Sequence, residues 1–514
     1  MARLWKSPTT RQLYRLCSAL FGGSTQMRFT DQSWNRFLFY SREIRGLSLL
    51  HDPMLPAPIA CYFDHIVAHF RRQRVDAFPA LRYLTCDVTG HRSLITLEGL
   101  LKEGVEKLVV SMPLTDEAGS DLDVWRPQLQ QLPAMLEAKC PNLTHLEILD
   151  ILQEHGKHLP LLKGLIQGTP RVKVFKMQPC LNVVSLQPDI LELASSYAQL
   201  EELSLLITEN YDDPVEQLSL PPPFSFPCLR SLELISVEKA PVLMALRACS
   251  LPLRRLHVEV GYSDWHKPGQ QYPNIGTFNE MIKELVSAIC SSPWALQIED
   301  LKLKFAQPQG EPWVPRHPEV ISLRPVRPLF QHCSRVKRFE LGLQLGHWAD
   351  CRSFDFQDSD LSSITEAWPG LQHLGLTWGH SHLTGSGLVN AIGLTSRLTF
   401  GGALSELAKC QQLKTVHFSF LDARTPIVTP YPAPSSSLEE LTIDKGRLEQ
   451  PAEKAQFLHA VWPCATLKCP TDYQDPETVW EPVQRVLEVL RKGGRVTRAM
   501  DRVTRPWSTQ FAVL

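Results

Sequence analysis

The chain has 514 residues, 53 Lys or Arg against 54 Asp or Glu, and a composition 43% hydrophobic and 21% charged. The near-neutral balance excludes the basic excess that a dedicated nucleic-acid binder uses to displace phosphate counterions, and the hydrophobic fraction belongs to a folded protein. No apolar run approaches the ~20 residues of a membrane span, so no span is expected. The thirteen cysteines are odd in number and form no paired C-x-x-C zinc spacing. Together these features imply a cytoplasmic or nuclear chain with no cofactor.

In chain order, the first feature is the stretch Met1 to Met27, with Arg3, Lys6, Arg11 and Arg15 and no acid before Asp31. Mitochondrial transit peptides share that pattern. Leu13, Leu16, Ala19 and Leu20 predict one amphipathic helix with Trp5 near its start.

From residue 44 to residue 443 an apolar-x-x-apolar-x-apolar unit recurs thirteen times. Clear copies are Leu143-Leu146-Ile148, Leu200-Leu203-Leu205, Leu229-Leu232-Leu234, Leu371-Leu374-Leu376 and Leu438-Leu441-Ile443, and the earliest is Ile44-Leu47-Leu49. The last two apolar residues stand two apart and face one side of a short strand, and the first plugs the turn leading in. Between copies lie stretches with helical spacing, such as Leu132 to Ala138, Val242 to Ala248, Met281 to Ile289 and Leu404 to Ala408. Each unit is thus one strand plus one helix, and stacking buries the apolar face of both.

The predicted fold class is α/β, a curved leucine-rich-repeat solenoid (horseshoe) of parallel strands and helices, with a short N-terminal helix and a C-terminal capping helix. Successive copies stand 24 to 45 residues apart. The longer intervals imply insertions, and the proline-bearing stretches Leu220 to Pro227, Ala306 to Pro328 and Thr425 to Ser437 are predicted loops. After Trp462 the repeat pattern fades, and residues 477 to 505 read as a basic helix striped by Val479, Val483, Val486, Leu487 and Leu490. Such a helix either caps the last repeat or docks on a membrane or an acidic partner. Gly493-Gly494 is its predicted end. The expected divisions are 1–30, an N-terminal helical segment; 31–470, the repeats; and 471–514, the basic helix and tail.

Arg3-Leu4-Trp5 through Phe21, followed by Trp34-Asn35-Arg36-Phe37 through Tyr40-Ser41-Arg42-Glu43-Ile44-Arg45-Gly46-Leu47, resembles the F-box/leucine-rich-repeat proteins of mushroom-forming fungi. Phe78-Pro79-Ala80-Leu81, Cys140-Pro141-Asn142-Leu143 and Trp368-Pro369-Gly370-Leu371 resemble that family's later repeats. The resemblance implies a substrate receptor for ubiquitin-ligase-dependent turnover, with the N-terminus on the cullin adaptor and the repeats on a substrate protein. The family's Leu-Pro-x-Glu element is missing from residues 1–40, and what is present resembles only the tail of an F-box. The alternative is therefore a repeat scaffold without ligase recruitment.

Chemistry is sparse. His65 and His69 are spaced like zinc ligands on a helix, but have no adjacent glutamate or third ligand. His380 and His382 lie in a glycine-bearing stretch without the Lys-Ser/Thr ending of a phosphate loop. No G-x-S-x-G elbow occurs, and the chain is expected not to be an enzyme.

Binding is expected on the outward side chains of the strands, which alternate with the buried ones. The candidates are Tyr83, His145, Glu147, Lys176, Glu202, Glu233 and Arg255 in the first half of the series, then His257, Lys302, Arg338, Glu340, His373, His417 and Glu440. Their mixed signs suit a protein partner and not nucleic acid. Trp265, Trp313, Trp348 and Trp378 are expected in loops or just past strands, as repeat plugs or contact anchors.

Overall fold

The structure is a computed structural model. It describes residues 6–22, 28–50, 60–73, 76–88, 91–112, 129–149, 159–178, 188–207, 226–236, 239–249, 253–261, 275–306, 320–321, 324–345, 353–380, 395–435, 437–468 and 480–493. The chain divides into two compact units, Met1–Leu234 with Ala248–Leu251, and Ile235–Arg247 with Pro252–Leu514.

In the first unit the strands β1 (Gly46–Leu49), β2 (Tyr83–Asp87), β3 (Lys107–Ser111), β4 (His145–Leu149), β5 (Val174–Gln178) and β6 (Glu202–Ile207) pair in chain order, all parallel. Strand β7 (Ser231–Ser236) contains the division, its residues through Leu234 belonging to the first unit and those from Ile235 to the second. The second unit repeats the arrangement with β8 (Arg255–Val260) and β9 (Asp300–Ala306). A three-stranded sheet of β10 (Val320–Ile321), β12 (Ser353–Gln357) and β14 (Thr395–Arg397) is interleaved with β11 (Arg338–Leu345), β13 (His373–His380) and β15 (Thr415–Ala423). Strands β16 (Glu440–Leu448) and β17 (Thr466–Lys468) complete the main series. Helices lie between strands, among them Ala60–Gln73, Leu132–Lys139, Ile275–Ser291 and Phe400–Leu407. This is the α/β leucine-rich-repeat fold read from the sequence.

All thirteen apolar triplets are interior. Leu146, Leu203, Leu232 and Leu374 are each no more than 2% exposed, and the turn residues Leu143, Leu200, Leu229 and Leu371 are equally covered. A backbone device recurs with them. The residue just before most strands of the main series offers one carbonyl to two successive N–H groups of the next repeat. The amides of Thr144 and His145 donate to the Glu106 carbonyl at 2.9 and 3.1 Å, and those of Lys337 and Arg338 donate to Glu299 at 2.7 and 2.9 Å. The fork satisfies backbone groups at the turn, where no ladder has yet begun.

The ends of the series are closed by other means. At β1, the amides of Arg45 and Gly46 donate to the carbonyl of Lys6, so the segment before the first helix stands in for a preceding repeat. A side chain at position 46 would bring its Cβ within 2.8 Å of Ser7 Oγ, so glycine permits the approach. Helix Thr10–Phe21 opens with a reciprocal Thr9–Gln12 capping box. It buries Leu13, Cys17 and Phe21, while Leu16 and Leu20 are only half-buried and Ala19 is exposed. The expected stripe was one step out of phase, because Phe21 is drawn into an aromatic cluster with Trp34 and Phe37. In the second unit, helix Glu481–Arg491 buries Val483, Val486 and Leu487, and Lys492 and Gly493 follow it, Gly493 with φ +71°. Arg491 donates to the carbonyls of Pro463 and Ala465, covering the last turn as a further repeat would.

Two expectations need correction. The repeat pattern continues past Trp462 into β17, whose one buried strand residue, Leu467, is too little for the sequence pattern to register. Three repeats of the second unit carry an extra short strand before the helix. In Ala306 to Pro328 this places β10 and a helical turn, Arg324–Val326, inside the expected loop. Pro328 then begins helix Pro328–His332, a position where the missing N–H costs nothing. Within Leu220 to Pro227, residues 220–225 lie outside the described residues, as do residues 307–319.

Leu232→Ala is expected to lower stability by ~2–5 kcal/mol, because the stack cannot close fully on the void. Hydrogen exchange should accelerate first around β7 and its neighbouring repeat; an equal rise along the whole chain would contradict a stacked architecture.

Candidate functional site: the strand face

The register assigns every predicted binding residue to one of two rows. In the first unit, Tyr83, His145 and Glu202 occupy the first strand position, and Glu147, Lys176 and Glu233 the third. In the second unit Arg255, Arg338, His373 and Glu440 are first-position residues, and His257, Lys302, Glu340 and His417 third-position ones. Alternation puts both rows on the face opposite the buried leucines. Within each unit, then, the candidates share one surface.

That surface is less open than expected. Tyr83 is the large exposed ring on it, at 47%. Arg255 and Arg338 are exposed, and the other candidates are half-buried. The reason is lateral pairing between rungs about 4.8 Å apart. Glu147 lies 3.4 Å from His145 and 3.6 Å from Lys107. Ser204 donates to Glu233 at 2.7 Å. Lys302 meets Glu340 at 3.0 Å, and Lys304 meets Glu259 at 3.7 Å. His417 and Ser419 both reach Asp444, at 2.9 and 3.1 Å, and Lys468 reaches Glu440 at 2.6 Å.

Glycines on two rungs let long side chains lie along the sheet. A Cβ on Gly342 would stand 3.0 Å from Lys304 Cγ, and one on Gly375 3.1 Å from Glu340 Cγ. The partners Lys107, Lys304, Asp300 and Asp444 were missed in the sequence reading. Their signal was present, since each also sits at an outward strand position.

Electrostatics follow the pairing. The His145 hydrogen bond, then Lys107 and Lys176, outweigh partial burial and hold the Glu147 carboxyl below its ordinary range. Burial pushes Asp300 up, against the pull of Arg338 and Arg255. Burial first, then the Arg338 cation, pushes His373 down, and its Nδ1 lies 2.5 Å from Thr415 Oγ1.

The other sequence candidates resolve differently. His69 stacks on Trp34 with centroids 4.0 Å apart, and His65 stands near Phe29, so the pair belongs to an aromatic cluster. Trp378 is inside β13 and 6% exposed, a plug and not a loop residue. Trp265, Trp313, Trp348 and His382 lie outside the described residues, as does the side chain of His380. Among the described residues no cluster of three His, Cys, Asp or Glu could hold a metal, and no helix is long and apolar enough to cross a membrane. A cleft of about 290 Å³ lies beside helix Ala60–Gln73, lined by Val67, Phe70, Leu100 and the Lys102–Asp76 ion pair.

No protein-family profile matches the sequence, and no curated protein does. Similar solved structures include the leucine-rich repeat-containing protein LegL7 from Legionella pneumophila, at 10% identity and a TM-score of 0.32, covering 71% of this chain and 90% of that one. Another is the leucine-rich repeat domain of APL1B, at 12% identity and a TM-score of 0.25, covering 88% and 95%. The fold assignment stands on the register and burial of the chain's own repeats.

Glu147 gives a pH prediction. A carboxyl held low in the folded state adds stability above its unfolded value of about 4.3, and that stability is lost as pH falls through the lower folded value. Denaturant titrations should therefore show wild type ahead of Glu147→Gln near neutrality and the gap closing in the acid range. A gap independent of pH would mean that the carboxylate's charge contributes nothing.

Proposed function

We propose that the chain is a non-catalytic, protein-binding leucine-rich-repeat protein that holds a protein partner on its strand face. The observation that carries this reading is the alignment of the candidates, within each unit, in two rows of its strand face, with charges of both signs and, in the first unit, an exposed tyrosine. Pre-paired side chains lose little freedom on binding, and a mixed-sign surface discriminates among partners by complementarity. On this reading the chain divides by role at 1–30, 31–470 and 471–514, and works in the cytoplasm or nucleus.

The finer reading is a substrate receptor for ubiquitin-ligase-dependent turnover, and its support is the resemblance of the N-terminal segment to an F-box tail. The alternative, a scaffold without ligase recruitment, draws support from how that segment is used. Helix Thr10–Phe21 spends its apolar stripe on the repeat unit, and Tyr62 donates to the Gly22 carbonyl at 2.9 Å. We favour the scaffold for residues 1–514 taken alone.

The test uses the full chain as bait. A partner recovered by wild type should be lost on Tyr83→Ala combined with Lys176→Glu, and kept on Lys283→Glu, a charge reversal on helix Ile275–Ser291. Equal recovery by all three would remove the strand face from the reading. Titration against a cullin adaptor should show affinity weaker than micromolar; sub-micromolar binding would restore the receptor role.

A further inference from the structure

In the first unit a second buried position recurs beside the apolar residue that plugs each turn. The amide of each plug donates to the carbonyl three residues earlier, at 3.0 to 3.2 Å, from Ile44 on Ser41 to Leu229 on Phe226. The residue that supplies this carbonyl is buried as well: Ser41, Phe78, Cys140, Thr169, Tyr197 and Phe226 are each no more than 3% exposed. Lys102, whose carbonyl accepts from Val105 at 3.0 Å, departs from the series. An ammonium group fills an apolar slot only at a large desolvation cost, so a lysine there lays its stem along the slot and carries its head to the rim. The Lys102 side chain is 21% exposed, and its head meets Asp76, which is 54% exposed. The cleft of about 290 Å³ stands at this point, with Phe70, Phe78, Leu81 and Leu100, all buried, in its lining. It is the space of a missing plug.

Three charged residues line the cleft: Arg71, Asp76 and Lys102. Arg71 is held by Glu98 at 2.9 Å and by the Ile95 carbonyl at 3.3 Å, and Glu98 is shared with Lys139. Lys102 reaches both carboxylate oxygens of Asp76, at 3.2 and 3.4 Å, which is long for a charge-assisted hydrogen bond. Asp76 is fixed in place by the Phe78 amide, which donates to it at 3.0 Å. Burial pushes the Lys102 ammonium down against the pull of Asp76, and Arg82, itself paired with Glu106, acts in the same sense as burial. The lining therefore joins an apolar floor to a loosely made pair of opposite charges.

We propose that this cleft binds a free α-amino acid with an apolar side chain. The ligand's side chain takes the slot that Phe78 and Tyr197 fill in their own repeats. Its carboxylate and ammonium, carried on one carbon, meet Lys102 and Asp76 and complete the partners that each lacks. A carboxylate without an ammonium would face the Asp76 charge, and an ammonium without a carboxylate would face Lys102 and Arg71. The volume lies at the low end of the ~300–1,000 Å³ of small-molecule sites, which suits a ligand of this size. None of the lining residues is an outward strand residue, so the site stands apart from the strand face and adds a ligand to the function proposed there.

The experiment is saturation-transfer NMR and thermal unfolding of the full chain with L-leucine. The comparison probes are isocaproate and isoamylamine, which are leucine without its ammonium and without its carboxylate. Leucine should bind with a dissociation constant of roughly a millimolar, as a ligand of few atoms does, and should raise the unfolding midpoint. Each comparison probe should bind about tenfold more weakly or worse. Asp76→Asn and Lys102→Gln should each weaken leucine by about tenfold or more, and Lys102→Leu, which supplies the missing plug, should abolish its binding. Lys283→Glu, in the second unit, should leave it unchanged. Should the Lys102 and Asp76 variants fail to fold, the two comparison probes keep the test on the wild-type chain. Absence of leucine binding at about tenfold the expected concentration, binding that survives both single substitutions, or a comparison probe that binds as tightly as leucine overturns the proposal. Partner capture through Tyr83 and Lys176 is measured separately, so the two readings fail independently.

Discussion

The structure depends on one carbonyl per repeat. At the mouth of most strands of the main series that oxygen receives two consecutive amides from the following repeat, as the Lys173 carbonyl receives Glu201 and Glu202 at 2.7 and 2.9 Å. A parallel pairing of short strands is weak by itself, since few ladder bonds form before each strand ends. The fork fixes register before the ladder starts, and a slip of one residue would turn every interior leucine outward. It works only if the preceding turn is plugged, which is the task of the first apolar residue of each triplet. Ile298, Leu413 and Leu438 are fully covered in that role. Plug, fork and strand are therefore one cooperative unit, and the strand face inherits its order from them.

The same constraint explains what could be read from the sequence. A period-two pair behind a plug is a local pattern that leaves visible residues, so all thirteen triplets and their alternating outward positions were legible. Which outward residues pair with each other was not, because the Lys302–Glu340 and His417–Asp444 contacts join residues 38 and 27 positions apart. The interval between copies varies, so the partner of a given rung cannot be counted off along the chain. The phase of helix Thr10–Phe21 failed for a related reason. Its stripe is set by Trp34 and Phe37, which lie beyond the helix. The sheet of β10, β12 and β14 is too short per strand to show any period, and prolines around β10 argued against it.

Lateral pairing also decides what kind of binding this surface can perform. An unpaired half-buried carboxylate would cost free energy and invite a cation or a proton; here Glu147, Glu340 and Asp444 already have partners. Surface ion pairs of this kind contribute little to stability, typically 0–1 kcal/mol. Their larger effect is on geometry, because a row of mutually held side chains presents a fixed pattern of charge. On the proposed reading, a partner gains affinity by matching the pattern, or by displacing an exposed member such as Tyr83 in the first unit or Arg338 in the second.

The ends of the series bear on recruitment. A parallel stack leaves an apolar end wherever repeats stop, and something must cover it. At β1 the cover is Lys6 through Phe21, with its carbonyl in the fork, Gly46 cleared for Ser7, and Leu13, Cys17 and Phe21 packed inward. A helix committed this way has its outer face to offer, where half-buried Leu16 and Leu20 are separated by exposed Ala19 and flanked by Arg15. That is a narrow apolar strip beside a charge. To dock an adaptor through its buried stripe instead, the helix would have to leave the stack and expose β1, giving up about 1.5–3 kcal/mol for each large side chain uncovered. Any affinity for an adaptor gained through that stripe would be reduced by this cost. Capping and recruitment through the same face of the helix therefore exclude one another, and the packing at Phe21, Trp34 and Phe37 weighs the balance toward capping.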